Sequence, residues 1–92
     1  MATWHFFTNY MHVLNALVRD PTARLRDIAD EVGITERAVH RIVTDLTEAG
    51  YLHRERVGTR NQYEVRRDMP LRHPLHSGRK LGEVLDVLEG RS

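Results

Sequence analysis

Cysteine is absent from the 92 residues, so there is neither a disulfide framework nor a thiolate metal site, and nothing in the composition marks a secreted protein. Serine occurs at Ser77 and Ser92 alone, and the 6 glycines form no rich loop behind an expected strand. The nucleophile and phosphate-cradle patterns of enzymes therefore have no residues to build on, and no enzymatic activity and no cofactor are expected. Long apolar runs are missing as well. Nothing approaches the roughly 20 residues of a membrane helix, and Trp4-His5-Phe6-Phe7, with no basic region ahead of it, is too short for a signal core. The expectation is a cytoplasmic chain with no membrane partner. An excess of either charge is lacking too, the net being +1, a balance that does not announce a nucleic-acid binder. Lysine is reduced to Lys80, so almost all the positive charge is arginine.

What is present is organised around residues 27–49, which read as two short helices broken near Gly33. At about 100° per residue, Val39, Ile42, Val43 and Leu46 fall on one side of the second helix, with Arg37, His40, Arg41 and Thr44 opposite. Two helices that cross steeply need a small side chain at closest approach, a residue with positive φ to end the first, and β-branched wedges on the second. Ala29, Gly33 and Val39 supply these in that order. Thr35 is placed to cap the second helix. The spacing is that of a helix-turn-helix.

Around this centre, Thr8 is positioned to cap a first helix from Asn9 to about Arg19, stopped before Pro21, with Phe6, Tyr10, Val13, Leu14 and Leu17 on one face. Trp4, Phe7, Met11 and Val18 form a second apolar face, more than a small core needs. Residues 23–25 suit a very short strand, and the helix before the turn is expected to begin at Arg26 or Asp27 and to turn Asp27, Asp30 and Glu31 outward. Gly50 ends the second helix of the pair. Two β runs follow, His53 to Val57 and Gln62 to Arg66, joined by Gly58-Thr59-Arg60-Asn61; they form a hairpin with Val57, Tyr63 and Val65 toward the core and the arginines outward. Pro70 and Pro74 keep 68–77 irregular. Ser77 is then expected to cap a last helix from Gly78 to about Glu89, where Leu81, Val84, Leu85 and Leu88 repeat at helical spacing. So short a helix is marginal alone and must dock on its own domain or on a second copy.

Residues 25–65 resemble the small winged helix-turn-helix transcriptional regulators of prokaryotes, of the MarR and ArsR kind. The resemblance rests on Leu25-Arg26-Asp27-Ile28-Ala29, Val32-Gly33-Ile34-Thr35-Glu36-Arg37-Ala38-Val39, Leu46-Thr47-Glu48-Ala49-Gly50-Tyr51-Leu52 and Arg56-Val57-Gly58-Thr59-Arg60-Asn61-Gln62-Tyr63-Glu64-Val65. It implies a mainly α fold with a small β-hairpin, a winged helix-turn-helix with an extra C-terminal helix. It also implies that helix 35–49 enters the major groove of double-stranded DNA and that wing 57–62 reaches an adjacent minor groove. This chain is shorter than a typical MarR member and lacks the cysteines with which many ArsR members sense metals, so the sequence assigns no small-molecule effector.

The expected DNA-binding residues are Thr35, Glu36, Arg37, His40, Arg41 and Thr44 on the helix, and Arg54, Arg56, Thr59, Arg60 and Asn61 on the hairpin. Arg37 and Arg41 suit guanine edges or phosphates, His40 and Thr44 bases or phosphates, and Glu36 a cytosine amino group. Arg60 is expected to insert into a minor groove with Thr59 and Asn61 beside it for phosphate. Arg54 and Arg56, and also Arg24 and Arg26, are free to meet phosphates or to form ordinary surface ion pairs. The 6 histidines show no metal-ligand spacing, and no metal site is expected. The organisation expected is a DNA-binding unit over 1–67 and a connector with a dimerisation helix over 68–92. Trp4, Phe7, Met11, Val18, Leu81, Val84, Leu85 and Leu88 would form a homodimer that reads a pseudo-palindromic operator. The competing reading is a winged-helix module for protein or RNA without specific DNA binding.

Overall fold

The computed structural model describes residues 7–89, so the expectations for Trp4 and Phe6 lie outside the described residues. Three helices, α1 (Asn9–Arg19), α2 (Leu25–Val32) and α3 (Glu36–Glu48), precede an antiparallel hairpin of β1 (Leu52–Val57) and β2 (Arg60–Val65); a 3-10 turn at Pro74–His76 and α4 (Leu81–Leu88) follow. It is a mainly helical winged helix-turn-helix with an extra C-terminal helix. Among the described residues no helix is long and apolar enough to cross a membrane.

The turn between α2 and α3 forms as its residues dictate. Gly33 ends α2 in the left-handed region at φ 85°, its N–H and that of Ile34 both donating to the Ala29 carbonyl. Thr35 then caps α3, its Oγ1 accepting the Ala38 N–H at 3.1 Å. Ile28 and Ala29 of α2 and Val39, Ile42, Val43 and Leu46 of α3 are buried with Val13, Leu14, Ala16 and Leu17 of α1 in a single core. Thr8 sits at the cap position of α1 without a side-chain bond; its carbonyl accepts the Met11 and His12 N–H groups instead.

The segment expected as a strand at 23–25 is not one, because Leu25 is already the first residue of α2. The hairpin meets the preceding turn through one backbone bond, Tyr63 N–H to the Pro21 carbonyl at 2.9 Å. The hairpin turn is tighter than expected. Val57 pairs with Arg60 across Gly58-Thr59, with Gly58 at φ 63° in the first central position, as a type II′ turn requires. Arg60 and Asn61 are thereby strand residues, and Val57, expected in the core, is 53% exposed near the tip.

The last helix begins later than expected. Ser77 Oγ donates to the Pro74 carbonyl, closing the 3-10 turn, and α4 starts at Leu81. The segment before it is anchored by an isolated Pro70–Lys80 bridge and by Leu71 N–H to the Arg79 carbonyl, with Leu81 N–H on the Met69 carbonyl. Arg67, just past β2, holds α4 at three points. Its carbonyl accepts the Gly82 N–H at 2.8 Å, and its guanidinium donates to the Gly82 carbonyl and pairs with Asp86. Leu81 and Leu85 enter the protomer's own core, 2% and 0% exposed, which corrects their expected place at a dimer interface: a side chain already buried has no surface to lend to a partner. Val84 is half-buried, and Val87 and Leu88 remain on the outside.

Tyr10 of α1 reaches across to α3, its hydroxyl donating to Asp45 Oδ2 at 2.5 Å. That bond, aided by desolvation and by the Asp45 charge and opposed by the Arg41 charge, raises the phenol above its ordinary range. A raised folded value means that the bond's contribution is whole below the unfolded value of about 10 and is lost as pH climbs through the folded one. Urea midpoints followed into the alkaline range should show Tyr10→Phe losing stability less steeply than the wild type. Leu85→Ala should cost about 2–5 kcal/mol in urea unfolding, the range for a fully buried leucine; an unchanged midpoint would contradict the docking of α4 described above.

Candidate nucleic-acid interface

Burying one stripe of α3 leaves the other free. Glu36, Arg37, His40, Arg41 and Thr44 are all exposed, and they occupy one continuous face of a helix that is capped at its start and packed along its back. Thr35, at the cap, is exposed too, but its hydroxyl is committed to Ala38. Glu36 Oε2 lies 3.5 Å from His40 Nε2, one helical turn on, so the one acidic group among these residues is matched by an imidazole on the same face.

The register fixes the faces of the hairpin. Leu52, Arg54 and Arg56 of β1 stand opposite Val65, Tyr63 and Asn61 of β2, and the pleat puts these six on one side, with His53, Glu55, Val57, Arg60, Gln62 and Glu64 on the other. Arg54 and Arg56 therefore share the face of the buried Tyr63 rather than pointing away from it. Arg56 Nε donates to the Gly58 carbonyl at 3.2 Å, bracing the turn. Arg60 has a second duty as well. Its Nη1 donates to the Thr22 carbonyl at 3.0 Å, tying the start of β2 to the turn after α1. The expectation that Arg60 forms the wing tip gives way to a tip made of Gly58 and Thr59 alone.

One cleft joins the two parts. About 530 Å³ in volume, it lies between the start of α2 and the first turn of α3 and runs to the tip end of the hairpin, so Glu36 and His40 from α3 share it with Thr59, Arg60 and Asn61. Arg24 and Arg26 line the same cleft. Arg37, Arg41, Thr44, Arg54 and Arg56 lie outside it. What the sequence does not show is Thr22: a backbone carbonyl leaves no trace in residue type, and its partner is 38 positions away.

The arginines sort themselves by surroundings. Arg19 pairs with Glu31, Arg66 with Glu64, Arg67 with Asp86 and Arg79 with Glu83. Among the described residues Arg24, Arg26, Arg37, Arg41 and Arg54 have no carboxylate within 4.0 Å, and Arg56 and Arg60 meet only carbonyl oxygens. Arg72, at the opposite end of α3 near Glu48 and Ala49, is also unpaired. Apart from Arg72, the unneutralised guanidinium groups among the described residues are those of α3, the cleft and the hairpin.

Elsewhere, His73 and His76 face each other with ring centroids 5.8 Å apart, and His73 Nδ1 accepts the Leu75 N–H. No third ligating side chain joins them among the described residues.

Residues 11–53 match the family model described as winged helix-turn-helix DNA-binding. No curated protein matches the chain. Among solved structures, the PcaV transcriptional regulator from Streptomyces coelicolor, in complex with its natural ligand, is similar at 22% identity and a TM-score of 0.55. The likeness covers 98% of this chain and 65% of that one, so this chain spans less than two thirds of its neighbour's length, and at this identity the likeness establishes the fold. The family match, which covers less than half of the chain, the hairpin that follows the three helices and the shared fold together show a winged helix-turn-helix fold.

Proposed function

We propose that the protein is a sequence-specific transcriptional regulator that lays α3 in the major groove of double-stranded DNA and sets its hairpin against the adjacent minor groove. The observation that carries the reading is the distribution of arginine partners among the described residues: Arg19, Arg66, Arg67 and Arg79 meet carboxylates, and of the arginines that do not, all but Arg72 lie on α3, the cleft and the hairpin. A polyanion supplies the missing counter-charge, and this reconciles DNA binding with a net charge of only +1. Arg37 and Arg41 take the guanine or phosphate contacts, His40 and Thr44 lie beside them, and Glu36 is placed for a cytosine amino group. Thr35 stands at the end of the helix that enters the groove. Arg54, Arg56 and Asn61 on one hairpin face, with Thr59 at the tip and Arg60 behind it, serve the backbone and the minor groove.

The protein acts as a homodimer in this reading, with α1 and α4 side by side at the contact. Val18 of α1 and Leu88 of α4 line one recess, and Phe7, Val87 and Leu88 are exposed large apolar groups that the protomer leaves uncovered. Met11, Val18 and Val84 are half-buried and lend only their outer edges. Two α3 helices about one DNA turn apart, ~34 Å, then read a pseudo-palindrome.

Selection of bound duplexes from a random pool tests the whole reading. It should recover a two-fold-related sequence, and Arg37→Ala and Arg41→Ala should each weaken binding to it about tenfold or more, a loss of 1–3 kcal/mol or so per contact. Recovery of no preferred sequence, or variants that bind like the wild type, would favour a winged-helix module for protein or RNA. Light scattering at tens of micromolar should give a dimer; a monomer would overturn that part alone.

A further inference from the structure

We infer that Tyr10 is a positioning residue for the recognition helix: by holding Asp45 it keeps that carboxylate off Arg41, and so leaves the Arg41 guanidinium open for DNA. The inference rests on the reading of the protein as a DNA-binding regulator and adds to it a residue that belongs to α1 rather than to α3 or the hairpin. Arg41 and Asp45 stand four positions apart on α3, the spacing at which opposite charges on a helix meet. Near the start of the same helix that spacing does close, between Glu36 and His40 at 3.5 Å. Arg41 nonetheless has no carboxylate within 4.0 Å among the described residues.

The difference lies in the partner that Asp45 already has. Its Oδ2 accepts the Tyr10 hydroxyl at 2.5 Å, a bond between side chains 35 positions apart. A hydrogen bond to an ionised acceptor is among the stronger ones, whereas an exposed ion pair along a helix contributes little, so the phenol prevails over a guanidinium that water also serves. The phenol is delivered to a fixed place, because Val13, Leu14 and Leu17 bury the inner face of α1 in one core with Val43 and Leu46 of α3. Tyr10 and Asp45 line one recess with Glu48 and Arg72, and Arg41 is outside it. The hydrogen bond to Asp45 raises the phenol and the Arg41 charge opposes the rise, so all three groups lie within electrostatic reach of one another. Without the hydroxyl, Asp45 is released to turn along the helix toward Arg41, and DNA must then break an ion pair before it can take the guanidinium.

The test uses the full chain and the tightest duplex from the random-pool selection, with anisotropy titrations in low salt. Tyr10→Phe should weaken binding about two- to threefold, the worth of an exposed pair four residues apart. In the Arg41→Ala background the same substitution should change nothing, since the group through which Tyr10 acts is gone. Asp45→Asn removes a negative charge in any background, so its effect on the otherwise wild-type chain sets the baseline; added to Tyr10→Phe, it should gain about two- to threefold beyond that baseline and bring the affinity back. A loss from Tyr10→Phe that persists in the Arg41→Ala background, or an Asp45→Asn gain that is the same with and without the hydroxyl, assigns Tyr10 a contact of its own or a purely structural part and overturns the inference. Wild-type affinity in Tyr10→Phe, with Arg41→Ala weakened, overturns it as well and leaves the regulator reading standing. A wild type with no salt-sensitive binding overturns both.

Discussion

Two carbonyl oxygens in the turn after α1 hold the two halves of the domain in relation to each other. The Pro21 carbonyl takes the Tyr63 N–H and the Thr22 carbonyl takes the Arg60 guanidinium, so both hairpin contacts converge on adjacent residues at the end of the first helix. A two-stranded ribbon by itself is only marginally stable and has no fixed direction. Pinned here along β2, and packed through Leu52 and Tyr63 into the core behind α3, it acquires both. The spacing between the exposed face of α3 and the hairpin is thus a property of a turn that belongs to neither.

The same economy governs charge. A protein whose total is +1 presents a strongly cationic surface only by sorting its pairs, and the sorting is visible in which arginines have carboxylates beside them. Net charge measures the sum and is blind to the arrangement. Pairing neutralises Arg19, Arg66, Arg67 and Arg79, while each of these exposed pairs adds little to stability.

Much of the fold was legible because it depends on local chemistry. Ala29, Gly33, Thr35 and Val39 state the helix-turn-helix in residue types, and the structure realises each, from the left-handed Gly33 to the Thr35 cap. The split of α3 into Val39, Ile42, Val43 and Leu46 against Arg37, His40, Arg41 and Thr44 follows from helical spacing alone. What escaped depends on long-range contacts. The tip shrank to Gly58 and Thr59 because strand pairing ran on to Arg60, and pairing is decided between strands rather than within one. The start of α4 moved from Gly78 to Leu81 because the chain from 69 to 71 bonds to 79–81 and uses those residues first. Leu81 and Leu85 show the limit most clearly: an apolar stripe states that a helix must dock, and the choice between its own core and a second copy lies in contacts the stripe does not encode. The exposed face of α3 was likewise readable, whereas the juxtaposition of Arg24 and Arg26 with the hairpin was not.

Arg67 gives the C-terminal helix a role beyond filling the core. It stands two residues after the end of β2 and holds Gly82 through both carbonyl and guanidinium while reaching Asp86 one turn further along. Hairpin and last helix are therefore joined by hydrogen bonds as well as by the hydrophobic interior. The last helix is thus fastened to the open end of the hairpin as well as to the core, while the Pro21–Thr22 turn fastens β2 on its other side.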